Sequence, residues 1–211
     1  MKFSIDSRIF KEYPNLKISV LVAKGVNNMK RMSPVESLLR GAAVEKKKEF
    51  GKIGMESDKR IMKWRESFAL FGVKPSKHQC SVESMIRKIL DEVEIPNTNS
   101  LVDICKYFSL KYVIPVNCFD IDKIYGDTIL TISDGTESFR PAGTILIKQP
   151  KNGEVIYKDK GGALTRMWNN KEAERTKVTK QTGKVMIAIE DLTDITIEKF
   201  ENMSYEFQDI L

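Results

Sequence analysis

Residues 99–120 read NSLVDICKYFSLKYVIPVNCFD, and the fold turns on how this stretch is parsed. Ser100 followed by Asp103 has the spacing of a capping box, so the sequence predicts a helix with Ser100 as its N-cap. Leu101, Val102, Cys105, Phe108 and Leu110 then form an apolar stripe at roughly helical spacing. Pro115 stops the helix, since it has no N–H and disfavours the helical region for Ile114. A polar loop carrying Asn117 and Asp120 is predicted to run back past the helix. A buried helix, a sharp turn and a polar return can hold polar groups at the wall of a pocket.

Working outward, Phe3–Ile5 reads as a short edge strand and residues 7–13 as a helix ended by Pro14. Residues 16–23 alternate and then become continuously apolar, a strand buried near its end. Ser33-Pro34-Val35-Glu36 is a helix start with N-cap Ser33, Pro at the first position and Glu at the third, running to about Phe50. Two more helices are predicted over 58–71 and from N-cap Ser81 to about Val93. Beyond residue 120 the pattern changes to short β-rich runs at 128–133, 144–148, 154–157, 163–168 and 184–189, separated by Gly, Asp and Asn turns. Residues 195–211 close the chain as a helix with Ile195, Ile197, Phe200, Met203, Phe207 and Leu211 near one face. Helices first and strands later indicate an α+β fold, read as a single domain over 1–211.

The 211 residues suffice for a sizeable core, and 41% hydrophobic with 30% charged residues is ordinary for a soluble globular chain. No apolar run approaches the roughly 20 residues that span a bilayer, so no membrane partner is expected. The N-terminus lacks the apolar segment of a signal peptide, which points to a cytoplasmic protein. Cys80, Cys105 and Cys118 are odd in number with no Cys-x-x-Cys pair, so free thiols are expected rather than a disulfide framework or a zinc site. His78 is the sole histidine, which excludes His-based triads and zinc-hydrolase motifs. No metal or cofactor is called for. The formal net charge of +6 favours encounter with nucleic acid, and Lys46, Lys47 and Lys48 form the densest basic run.

The stretch at 99–120 resembles the B3/B4 module of the bacterial phenylalanyl-tRNA synthetase beta subunit and the stand-alone proteins built from it. The family pattern, Asn-x-x-Val-Asp-x-x-Asn followed by Pro-x-x-x-x-Asp, is met by Asn99, Val102, Asp103, Pro115 and Asp120. It departs at Lys106, where the family has its second Asn, and at Asn117, where the synthetase has His. Trp64-Arg65-Glu66, Phe71 to Ser76, Ser81-Val82-Glu83, Gly153 to Asp159 and Arg166 to Asn169 extend the resemblance over about residues 60–190, between an N-terminal extension over 1–57 and the closing helix. It implies a B3/B4-like three-layer fold with a β-sandwich-like core and helices packed outside.

The resemblance also implies a pocket that hydrolyses mischarged aminoacyl-tRNA by positioning water beside the ester. On that reading Lys106 and Asn117 are the catalytic candidates, a fixed cation and an amide that orient the ester and its developing oxyanion. Asn99, Cys105, Asp120, Glu154, Trp168, Asn169 and Lys171 are the candidates for holding substrate. Among these, Glu154 would bind the free α-ammonium and Trp168 would stack on a base or side chain. Lys46 to Lys48 would meet the RNA. Three readings follow: a free-standing editing factor acting on aminoacyl-tRNA, a non-catalytic tRNA-binding module, and a binder of small amino-acid-like ligands. No ATP-binding fingerprint is present, so a complete synthetase is not expected; the oligomeric state stays open.

Overall fold

In the computed structural model, residues 1–29 and 33–211 are described. In chain order the elements are β1 (Phe3–Ile5), α1 (Ser7–Glu12), β2 (Lys17–Lys24), α2 (Ser33–Ile53), α3 (Lys59–Leu70), α4 (Ser81–Leu90) and α5 (Ser100–Tyr112). Then come β3 (Val116–Asp120), β4 (Thr128–Ile132), β5 (Val155–Asp159), β6 (Gly162–Ala163), β7 (Thr165–Arg166), β8 (Lys171–Glu172), β9 (Lys184–Asp191) and α6 (Ile197–Ile210). Helix α2 takes in Ser33, the residue predicted as its N-cap, as its first residue.

Strand β9 organises the molecule. It lies between β2 and β3 and is antiparallel to both. Every residue from Val185 to Asp191 is buried. Because side chains alternate along a strand, the two faces of β9 serve two cores. Val185, Ile187 and Ile189 pack with Phe108 of α5 and with Phe200 and Phe207 of α6. Met186 and Ala188 pack the other way, with Leu130, Tyr157 and Trp168. That second face meets the other sheet, ordered β1-β4-β5-β6, in which β1 pairs parallel to β4 and the remaining pairs are antiparallel. The result is α+β: two facing sheets with helices on the outside. Within the core on the Met186–Ala188 face, Trp168 makes edge-on contacts with Tyr13 and Trp64, at centroid distances of 4.8 and 5.0 Å.

Four local predictions are corrected. The N-cap of α5 is Asn99, whose side chain accepts from Val102 N–H, while Asp103 accepts from Thr98 N–H. The capping device is real but begins one residue earlier than Ser100. The return after Pro115 is strand β3 rather than a loop. Its polar look arises because Asn117 shares a face with Phe119, both turned toward the Met186–Ala188 side. The run at 144–148 is no strand: only the isolated bridge Phe139–Lys148 forms, and Ile145, Leu146 and Ile147 are exposed. The run at 163–168 is not one strand: β6 stops at Ala163, β7 covers only Thr165–Arg166, and Met167 and Trp168, both left-handed with φ of 46° and 60°, turn the chain away after it.

Candidate functional site

The face of β9 that carries Met186 and Ala188 ends in Glu190, a fully buried carboxylate. Four side chains donate to it. Tyr157 Oη at 2.5 Å and Trp168 Nε1 at 2.7 Å reach Oε1; Asn117 Nδ2 at 3.0 Å and Asn169 Nδ2 at 3.2 Å reach Oε2. Burial outweighs these four donors and pushes the carboxyl up to about 7. Burial, reinforced by Glu190, also raises the Tyr157 phenol well above its ordinary value. This carboxylate fixes the amides around it. Asn169 Oδ1 accepts from Ser81 N–H at 3.2 Å, whereas Asn117 Oδ1 has no partner among the described residues.

The left-handed pair at Met167 and Trp168 makes a tight turn between β7 and β8. Non-glycine residues in this region cost roughly 1–3 kcal/mol each and persist only where the surroundings hold them. Here Glu154, itself 1% exposed, holds the turn. It binds Arg166 Nε at 3.0 Å and Nη2 at 2.5 Å, and accepts from Met167 N–H at 3.3 Å. Trp168 N–H donates to Val155 O. The turn therefore sends successive side chains in different directions: Trp168 into the core, Met167 and Asn169 into two neighbouring cavities.

The smaller cavity, about 230 Å³, lies between α5, β3 and the β7–β8 turn, with Cys105, Lys106, Ser109, Asn117, Asn169 and Glu172 in its wall. The larger, about 740 Å³, opens on the other side of the turn. Asn170, Lys171 and Glu172 line both. Neither the Lys171 ammonium nor the Glu172 carboxylate has a hydrogen-bond or ion-pair partner among the described residues. Glu172 is reached by solvent through the cavities yet is enclosed by protein, and that enclosure raises its carboxyl above the usual range; Glu174 adds to the rise, and Lys177 and Lys106 oppose it. The Cys118 thiol, also in the smaller wall, is raised first by its hydrogen bond with Cys105 and then by burial.

The cavity thus brings together Cys105, Lys106, Asn117, Asn169 and Lys171, but several predicted roles fail on geometry. Lys106 reaches the wall, yet its ammonium is held by Pro96 O at 2.5 Å, Thr98 Oγ1 at 2.8 Å and Asp103 Oδ1 at 3.1 Å. All three of its protons are engaged, so it is no free cation for an oxyanion. Asn99 is a cap that also holds Asn28 and Val178 O. Asp120 caps the turn that follows β3 and accepts from Thr182 Oγ1. Glu154 is occupied by Arg166, and Trp168 is wholly buried, so neither meets a ligand as predicted. Lys46 is 7% exposed and paired with Glu49, and Lys47 is paired with Glu92; only Lys48 of that run is exposed and unpaired among the described residues. Sequence reasoning missed Glu190 and Glu172. For Glu190 the available signal was a charge at the end of an apolar strand.

The model of the B3/4 domain matches residues 63–205, more than half of the chain. The chain belongs to the B3/4 domain family. Among solved structures, this B3/4 protein is similar to an N-terminal fragment of the phenylalanyl-tRNA synthetase beta subunit from Pyrococcus horikoshii, at 12% identity and a TM-score of 0.51. The match covers 99% of this chain and 48% of the fragment, so this B3/4 protein spans about half that length. The likeness is one of fold. No curated protein matches it. No helix among the described residues is long and apolar enough to cross a membrane.

Proposed function

We propose that this B3/4 protein hydrolyses the ester of mischarged aminoacyl-tRNA, with the aminoacyl group in the smaller cavity. The observation that carries the reading is a cavity of about 230 Å³ whose wall holds an unpaired carboxylate, Glu172, an unpaired ammonium, Lys171, and the free carbonyl of Asn117. An aminoacyl ester presents the complementary groups: an α-ammonium for Glu172 and Asn117 Oδ1, and a carbonyl oxygen for Lys171. Water adds to the ester carbon, and the resulting oxyanion faces Lys171. The C–O bond to the ribose then breaks, and the ribose oxygen leaves with a proton as its hydroxyl, freeing the amino acid. Loss of one such oxyanion partner lowers turnover about 100-fold to 1000-fold. The role first assigned to Lys106 passes to Lys171, and that of Glu154 to Glu172.

The test is a panel of correctly and wrongly charged tRNAs, without ATP or added metal. At least one mischarged tRNA is expected to lose its amino acid faster than it does spontaneously. Lys171→Ala should lower kcat, and Glu172→Gln should raise KM, an effect that N-acetylation of the amino acid reproduces. No release above background from any charged tRNA refutes hydrolysis; retained tRNA binding would then make the protein a binding module.

A further inference from the structure

The run at 144–148, which the sequence predicts as a strand, is an exposed apolar arm that the site does not use. Ile145, Leu146 and Ile147 are 89%, 62% and 71% exposed. The base of the arm is fixed: Phe139 and Lys148 exchange both of their backbone hydrogen bonds, and Ala142 N–H donates to Glu172 O. The run itself is extended. Ile145 and Ile147 line a cavity of about 280 Å³ on one side, while Thr144 and Lys148 line the larger cavity on the other. In an antiparallel ladder, the residues that bond toward one neighbour alternate. Lys148 bonds inward to Phe139, so Ile147 and Ile145 direct their N–H and C=O groups outward. Those groups have no partner among the described residues. Natural sheet edges are blunted by charge or proline, and residues 145–147 carry neither.

We propose that this run pairs antiparallel with the same run of a second copy of the chain, about a two-fold axis at Leu146. The register follows from which groups are free. Ile145 falls opposite Ile147 of the second copy and, by symmetry, Ile147 opposite Ile145. These two hydrogen-bonded pairs use every outward N–H and C=O of the run. Leu146 meets its own counterpart in the closer, non-hydrogen-bonded pair between them. The four isoleucines share one face, where β-branched neighbours across the strands pack well. Charge is complementary as well. Lys148 falls opposite Thr144 of the second copy, next to Gly143, whose N–H is bound by the Glu174 carboxylate at 2.7 Å. Within the paired run no like charges face each other. An interface this small lies below the roughly 1,200 Å² of stable complexes, so the dimer is weak and depends on concentration.

Sedimentation of the full chain from about 1 μM to about 1 mM should show a monomer passing to a dimer. Ile147→Pro removes an outward N–H at an exposed position. It should weaken association at least about tenfold and leave the circular dichroism spectrum unchanged. Cross-linking reads the register directly. With glutathione disulfide as oxidant, two Leu146→Cys chains should join: their thiols are oxidised to one disulfide, and the glutathione disulfide is reduced to two thiols. Wild type and Leu38→Cys, an exposed position on α2, should not join under the same conditions. A chain that stays monomeric throughout, a dimer indifferent to Ile147→Pro, or Leu146→Cys joining no faster than Leu38→Cys overturns the proposal. No tRNA or ester takes part in these measurements, so hydrolysis can fail while pairing succeeds, and the reverse.

Discussion

Glu190 makes stability depend on pH in a way that one substitution can isolate. Its carboxyl is raised from 4.5 to about 7, chiefly by burial. The folded chain therefore holds this proton more tightly than the unfolded chain does. The stabilising contribution is complete below about pH 4.5, falls as the pH rises, and is gone once the pH passes about 7. The difference of about 2.5 units, at 1.36 kcal/mol each, amounts to about 3 kcal/mol. Other carboxylates run the opposite way: the Arg8 hydrogen bonds hold Asp6 well below its usual range, and Asp58 is also lowered. A single pH profile mixes these trends, so the comparison is between wild type and Glu190→Gln by urea denaturation at pH 5 and pH 8. At pH 5 Glu190 is protonated, so wild type and variant both place a neutral group among the four donors, and their difference there is the reference. On going to pH 8, the balance should move toward the variant by about 2.5 kcal/mol, since part of the full difference is already lost at pH 5. Parallel profiles for the two proteins would refute the linkage.

Two further substitutions separate structure from site. Lys106→Ala should cost about 1 kcal/mol of stability, measured by denaturation, and leave ester turnover within about threefold of wild type, because its ammonium serves Pro96, Thr98 and Asp103. Asn99→Ala should cost about 2 kcal/mol, since it removes the α5 cap and the bonds to Asn28 and Val178, again with little change in turnover at a temperature where the variant is folded.

How much was legible in the sequence follows from what each signal measures. The helix at α5 and its end before Pro115 were readable because capping and proline geometry are local. The cap was misplaced by one residue because Asn99 and Ser100 are both good caps, and the contacts with Asn28 and Val178 that favour Asn99 come from distant parts of the chain. Strand β3 was hidden because Asn117 occupies a buried face where an apolar residue would have signalled a strand, and its partner Glu190 lies 73 residues away. The apolar run at 144–148 imitated a strand, but it has no ladder partner. The lysines at 46–48 looked like one patch because they are adjacent; on a helix, adjacent residues point about 100° apart, and Glu49 and Glu92 claim two of them. Among the residues proposed to touch ligand, Asn117 and Lys171 were already candidates in the sequence. Glu172 did not stand out, because its lack of a partner is a property of the folded wall.

The departures from ordinary packing gather at one place. Met167 and Trp168 adopt a left-handed conformation at a cost of roughly 1–3 kcal/mol each, where glycine would serve without strain. Directly behind them, Glu190 places a carboxylate in a core that an apolar residue would fill. Glu154, also buried, is needed to hold the turn. A chain selected only for stability has no reason to keep all three. Each instead acts on the wall between the cavities: the turn divides Met167 from Asn169, Glu190 holds Asn169 and leaves the Asn117 carbonyl free, and Glu154 pairs the charge of Arg166 at the larger cavity. The strain, the buried charge and the two cavities therefore have a common explanation in the wall that Lys171 and Glu172 share.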